Sequence, residues 1–202
     1  MKPHDPLAPA VDSYRKGGVI AFPTETFYGL GVDPFNEEAV ERLFALKKRP
    51  PDKPVSLIIK DWKMLGDIAA EAPQVAVELA KKFWPGPLTI IFKAKNLPEI
   101  LIAKTGRIGV RVSNNPIARD IISATGSPIT ATSANPSGKP PAKTPEAVLG
   151  YFDGNIDILI DGGELKGRFG STIIDVTGNH AVIVREGEIP AEKILAFLRT
   201  PP

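Results

Sequence analysis

A chain of 202 residues with 43% hydrophobic and 24% charged residues is sized for one compact domain and lacks the low-hydrophobicity, high-charge composition of disorder. The absence of cysteine excludes disulfides, thiolate metal sites and a thiol nucleophile, and two histidines, His4 and His180, do not suffice for a histidine metal cluster or a well-paired Ser-His triad. A net charge of +2 is too weak a field to mark a nucleic-acid binder by itself, so any anion site must come from local clustering.

The N-terminal stretch has no apolar core of signal-peptide length, and no run approaches a bilayer span, which predicts a soluble, cytoplasmic protein without membrane contact. A first helix is expected over about 8–16, ended by Gly17-Gly18. Val19-Ile20-Ala21-Phe22 reads as a short buried strand closed by Pro23, which places Thr24-Glu25-Thr26 at a strand's C-terminal end. In open α/β sheets that edge is where ligands bind. The next helix has Asn36 as cap, Glu37 and Glu38 in its first turn and Val40, Leu43 and Phe44 on one face. Pro50 and Pro51 stop it near Arg49.

Residues 55–59 read as a strand, and a helix is expected from about Pro73 to Phe83-Trp84. Strands follow at 88–92 and 108–112, then a helix capped by Asn115-Pro116 and ended at Gly126. A short strand at 129–132 opens into a loop, and Thr144-Pro145 starts another helix. Strands at 156–160, 172–176 and 181–185 come next, the last two as an antiparallel hairpin, before a terminal helix after Ile189-Pro190. The expected fold is α/β: a single domain over 1–202, core about 8–198, with a twisted mixed parallel and antiparallel sheet flanked by helices. The proline-rich run 138–145 is a candidate mobile loop.

Neither a P-loop nor a G-x-G-x-x-G fingerprint is present. Four polar segments at element ends carry the chemistry. The first, 22–31, offers hydroxyls and paired glycines for close approach to a ligand, or a strand-to-loop turn with incidental polarity. In the second, Lys47 to Lys53, cations at a helix end complement the macrodipole, but the two prolines make a fixed exit loop that suits a polyphosphate site. In the third, Arg107 and Arg111 flank a buried-looking strand, so each needs a substrate anion or an internal carboxylate. The fourth, 132–138, supplies hydroxyl and amide groups for phosphate or base, or is an ordinary Asn-Pro turn.

Each segment is weak alone, but their order is specific. P-T-E-T-F-Y-G-L-G at 23–31, K-K-R-P at 47–50, V-R-V at 110–112, S-A-N-P-S-G at 133–138, S-T-I-I-D at 171–175 and V-I-V-R-E-G at 182–187 together resemble the YrdC-like family from about Gly18 to Gly187. The resemblance implies a synthase that condenses L-threonine, bicarbonate and ATP into threonylcarbamoyl-adenylate and pyrophosphate. It also implies a downstream transferase that passes the group to an adenosine in tRNA, with a possible contact to tRNA or double-stranded RNA.

The family motifs map catalysis to Lys47 and Arg49, and ATP contacts to Arg49, Lys53, Arg107, Ser133, Asn135, Pro141 and Arg185. Threonine contacts map to Thr26, Arg111, Ala131 and Ser171. Mg2+ is expected on the triphosphate, with no protein ligand identifiable. Many longer members carry His where this chain has Ile58, and the absence of a further C-terminal domain groups the chain with the short forms. A YciO-like protein that binds RNA or serves ribosome maturation, without robust synthase activity, is the alternative. A carbamoyl-adenylate chemistry like that of hydrogenase-maturation domains is a second, which the missing zinc-finger and acylphosphatase-like segments disfavour.

Overall fold

The computed structural model describes residues 7–199. His4 therefore lies outside the described residues, as do the first six and last three positions of the expected domain. In chain order the elements are α1 (Leu7–Arg15), β1 (Ile20–Pro23), β2 (Tyr28–Gly31), α2 (Glu37–Lys47), β3 (Leu57–Ile58), α3 (Trp62–Ile68) and α4 (Gln74–Phe83). They continue with β4 (Leu88–Lys93), α5 (Glu99–Ile102), β5 (Arg107–Arg111), α6 (Pro116–Thr125), β6 (Ile129–Thr130) and β7 (Thr132–Ser133). The chain then forms α7 (Pro145–Phe152), β8 (Ile158–Leu159), β9 (Thr172–Asp175), β10 (Val182–Arg185) and α8 (Ala191–Arg199). No helix among the described residues is long and apolar enough to cross a membrane.

The α/β class and the mixed pairing are as the sequence predicts, but the strands divide between two sheets rather than one. A four-stranded sheet runs β7-β2-β1-β8 and a six-stranded sheet β10-β9-β4-β5-β3-β6. Both contain parallel and antiparallel pairs, and β9 with β10 forms the expected hairpin. The two sheets share one segment: β6 edges the larger and β7 the smaller, with Ala131 between them. Val32 pins the crossing, since its N–H donates to Thr130 Oγ1 (2.9 Å) and its carbonyl accepts from Thr130 N (3.1 Å).

Local signals explain the helices. Asn36 caps α2 by accepting from Ala39 N, Asn115 caps α6 by accepting from Ile117 N and Ala118 N, and Thr144 caps α7 by accepting from Ala147 N. Each such cap contributes about 1 kcal/mol. Asp61 caps α3 in the same way, accepting from Lys63 N and Met64 N. Ala10, Val11 and Tyr14 of α1, Val40, Leu43 and Phe44 of α2, and Ala118, Ile121 and Ile122 of α6 bury against the sheets. β1 is buried at all four positions, so truncating Phe22 to alanine would cost about 3–5 kcal/mol.

Two glycines bring loops to the future site. A Cβ on Gly167 would lie 2.0 Å from the Thr26 carbonyl oxygen, and one on Gly187 would lie 2.1 Å from the Gly170 oxygen. Both contacts are with backbone, so no side-chain rotation could relieve them. These close approaches fix the backbone of 24–26 and of 170–171 around a common space.

Candidate active site

That space is a cavity of about 300 Å³ lined from both sheets. Thr24, Thr26, Phe27, Tyr28 and Gly29 come from the β1–β2 turn, and Ala131, Thr132 and Ser133 from the segment shared by the sheets. Arg49, Pro54, Val55 and Ser56 enter after α2, Arg111 ends β5, and Gly170, Ser171, Ile173 and Arg185 come from the β9–β10 hairpin region. Pro141 borders it from the proline-rich run, which is tied down where Tyr28 N donates to the Ala142 carbonyl and Ala142 N to the Ala134 carbonyl.

Three arginines line the cavity and, among the described residues, no acid does. Arg49 sits beyond the left-handed Lys48 that ends α2, and its Nε and Nη2 donate to the carbonyls of Lys53 (2.9 Å) and Pro54 (2.6 Å). The guanidinium itself therefore closes the exit loop that the prolines begin. Burial pulls Arg49 below the usual guanidinium range, against Asp52 nearby. Arg185 donates from Nη2 to the Ser171 carbonyl (2.8 Å) and is likewise pulled down, by burial and then by Arg111. Neither guanidinium has a carboxylate within ion-pair distance among the described residues, so an anion in the cavity would relieve both.

Arg111 is different, for it has a partner. Its Nε lies 3.2 Å from Glu25 Oε1, both side chains being more than nine-tenths buried. The two atoms are too poorly aligned to count as hydrogen-bonded, so this contact is an ion pair without a directed bond. The terminal nitrogens of Arg111 make no hydrogen bond to any described residue and remain open to the cavity.

The hydroxyls are oriented too. Thr24 Oγ1 donates its only proton to the Phe27 carbonyl (2.7 Å) and accepts from Thr26 N. Thr26 must then be the donor in the 3.1 Å contact between the two hydroxyls, which leaves its lone pairs facing the cavity as acceptors. Ser171 Oγ pairs with Thr89 Oγ1 at 2.8 Å.

Of the residues expected from sequence, the cavity gathers Thr26, Arg49, Arg111, Ala131, Ser133, Pro141, Ser171 and Arg185. Lys47 and Asn135 lie behind its wall. Lys47 Nζ donates to the carbonyls of Ser133 and Asn135 (the latter 2.6 Å), and Asn135 Nδ2 donates to the carbonyls of Pro136 and Lys139, folding the 135–139 turn. Lys53 is exposed and contributes its carbonyl to Arg49.

Arg107 does not reach the site. It opens β5 while Arg111 ends it, a separation of roughly 13 Å at strand rise. Its guanidinium pairs with Asp175 at 2.8 Å on the surface. Arg107→Ala is expected to leave the steady-state constants for every substrate within about twofold and to cost less than about 1 kcal/mol. A tenfold rise in the nucleotide KM would return Arg107 to the site.

Sequence reasoning did not single out Tyr28, Ser56 or Ser113. Tyr28 Oη donates to the Gly163 carbonyl (2.8 Å) and accepts from Gly162 N (2.9 Å), while the Ser56 carbonyl accepts from Ala131 N (2.8 Å). Only Tyr28, inside the 23–31 motif, carried a visible signal. Ile58 is fully buried and pairs with Arg111 across the parallel β3–β5 ladder, so this chain puts an apolar side chain beside the arginine.

The fold and the site define an α/β domain with a cavity between two sheets, lined by arginines and hydroxyls. The chain belongs to the Sua5/YciO/YrdC family, whose sequence model, described as telomere recombination, matches residues 12–187. It is 41% identical over 181 residues to the threonylcarbamoyl-AMP synthase of Pyrococcus abyssi, covering 89% of this chain and 53% of that relative. The crystal structure of P. abyssi Sua5 complexed with L-threonine superposes with a TM-score of 0.92 at 39% identity, over 95% of this chain and 57% of that one. The crystal structure of E. coli YciO gives 0.84 at 34% identity, over 93% and 91%. The chain thus spans a little over half the length of the Pyrococcus synthase.

Proposed function

We propose that this domain condenses L-threonine, bicarbonate and ATP into threonylcarbamoyl-AMP and pyrophosphate. The observation that carries this reading is one cavity lined by two kinds of cation: Arg111, paired with Glu25, and Arg49 and Arg185, which no carboxylate among the described residues pairs with, Arg185 standing at Ser171 near Arg111. The similar synthase and the threonine-bound relative support the assignment of substrates.

The chemistry needs no covalent enzyme intermediate. Threonine's amine combines with carbon dioxide, derived from bicarbonate, to give a carbamate. A carbamate oxygen then attacks the α-phosphorus of ATP in line, and the bond to pyrophosphate breaks. The terminal nitrogens of Arg111 suit the amino acid's carboxylate as a two-pronged donor, and Thr26 Oγ1 offers an acceptor to its amine or hydroxyl. Arg49 and Arg185 neutralise charge on the phosphates as the leaving group departs. Positioning of the reactants supplies the remainder.

Mg2+ would enter with the triphosphate. No group of three or more acidic, histidine or cysteine side chains stands ready to hold it among the described residues, and none of the steps above is assigned to it. The product would pass to an enzyme that transfers the group to an adenosine of tRNA.

Pyrophosphate release from ATP and bicarbonate, with and without threonine and with serine and alanine as controls, tests the proposal. Threonine-dependent release with a threonylcarbamoyl-AMP product is expected. Tight ATP binding without threonine-dependent release would remove it.

A further inference from the structure

Glu25 stands between two cavity-lining threonines yet does not line the cavity itself. It is the only carboxylate within ion-pair distance of any of the three cavity arginines among the described residues. Its placement is built from two sides. Oε1 faces Arg111 Nε, and Oε2 accepts from the Ser113 hydroxyl. That hydroxyl in turn accepts from Asn115 N (3.1 Å), the residue that caps α6. A carboxylate so deeply held by residues 86 to 88 positions away is not incidental to a turn.

We infer that Glu25 sorts the two anions of the reaction. It neutralises Arg111 through Nε while leaving the terminal nitrogens free, which reserves those nitrogens for a singly charged carboxylate and leaves the polyphosphate to Arg49 and Arg185, the two cavity cations without a carboxylate partner among the described residues. The inference rests on the function proposed above. A neutral Arg–Glu pair still offers two directed N–H groups, so a carboxylate gains its hydrogen bonds there. A phosphate chain carrying several charges gains no net Coulomb attraction at the same place, because the Glu25 charge opposes it at short range in a poorly solvated site. The ammonium or amine of an amino acid is instead tolerated beside the carboxylate. Glu25 is therefore a positioning and selecting residue that acts through Arg111 and does not touch the reacting atoms.

Glu25→Gln keeps the shape and an acceptor for Ser113 while removing the charge. Calorimetric titration of the whole chain with L-threonine and with pyrophosphate reads the outcome. In the unaltered protein the two should bind without competing. In the variant, threonine, a zwitterion, should bind within about threefold of the unaltered protein, pyrophosphate roughly threefold to tenfold more tightly, and the two should compete. Ser113→Ala, which leaves the charge, should loosen threonine without creating competition.

Weaker threonine binding in Glu25→Gln with no competition and unchanged pyrophosphate affinity would overturn the proposal and leave Glu25 a structural strut, as would two unchanged affinities. If the unaltered protein binds pyrophosphate but no threonine, the substrate assignment fails instead. The pyrophosphate arm then decides alone, with tighter binding in the variant supporting sorting and equal binding refuting it.

Discussion

Arg111→Ala is expected to raise the threonine requirement on the order of a hundredfold while leaving the ATP KM within about threefold. The asymmetry follows from what each cation already holds: Arg111, paired with Glu25, keeps its terminal nitrogens free, whereas Arg49 and Arg185 have no carboxylate partner among the described residues and donate to the Pro54 and Ser171 carbonyls. The single substitution has a second consequence. It strands Glu25, which is more than nine-tenths buried, without its cation, and removing one partner of a buried pair costs about 3 kcal/mol.

Loss of threonine binding could then be mistaken for loss of fold. The double variant Arg111→Ala with Glu25→Gln separates the two, because it removes the stranded charge. Its unfolding midpoint in urea should recover most of the way to that of the unaltered protein, and its threonine requirement should stay high. Equal loss of threonine and ATP use, or recovery of threonine use with stability, would make Arg111 a structural residue.

What the sequence shows and what it hides divide along physical lines. The caps at Asn36, Asn115 and Thr144 act over three residues, so they can be read locally, and the hairpin β9–β10 follows from a short turn between β-branched runs. Strand β2 escapes because Tyr28–Gly31 is buried at every position and half glycine, which gives neither alternation nor β-branched residues. The partition into two sheets is equally hidden. It depends on Ala131 breaking one extended segment and on Thr130 bonding to Val32, contacts that no window around 129–133 contains.

Helix α3 did carry a local signal, Asp61 as cap, but its seven residues are too few for a periodic stripe. The same contrast governs the site. Cations at element ends stand out, whereas the Glu25–Ser113 contact joins residues 88 apart. Arg107 and Arg111 look alike in R-I-G-V-R, and only the direction in which β5 runs decides that one meets Asp175 and the other the cavity.

The second large effect is expected at Lys47, which the sequence marks as strongly as Arg49 but which works from behind the wall. The residue is 2% exposed; its ammonium donates to the Ser133 and Asn135 carbonyls, and its own carbonyl accepts from Ser137 N (2.8 Å). Three of the hydrogen bonds that hold the 133–137 loop thus converge on this one residue, beside those of Ala134 and Asn135. Lys47→Met keeps the packing and removes both side-chain tethers, so kcat/KM for ATP should fall about a hundredfold while threonine binding stays within about threefold.

Burial, then Arg49, pushes Lys47 down to about 7, and the two carbonyls resist by favouring the charged form. The sign of the pH dependence follows. An unfolded chain keeps this lysine protonated up to about 10.4, so between that value and 7 the unfolded state binds more protons and stability rises with pH. Urea unfolding of the unaltered protein should therefore gain up to about 1 kcal/mol per pH unit from pH 7 to 9 relative to Lys47→Met.

Polyphosphate affinity should run the opposite way, since an anion nearby favours the ammonium. Pyrophosphate binding should weaken as pH rises through 7, with proton uptake visible as a buffer-dependent heat that Lys47→Met lacks. A binding heat independent of buffer would show that Lys47 does not change its protonation on binding and serves only to tether the loop.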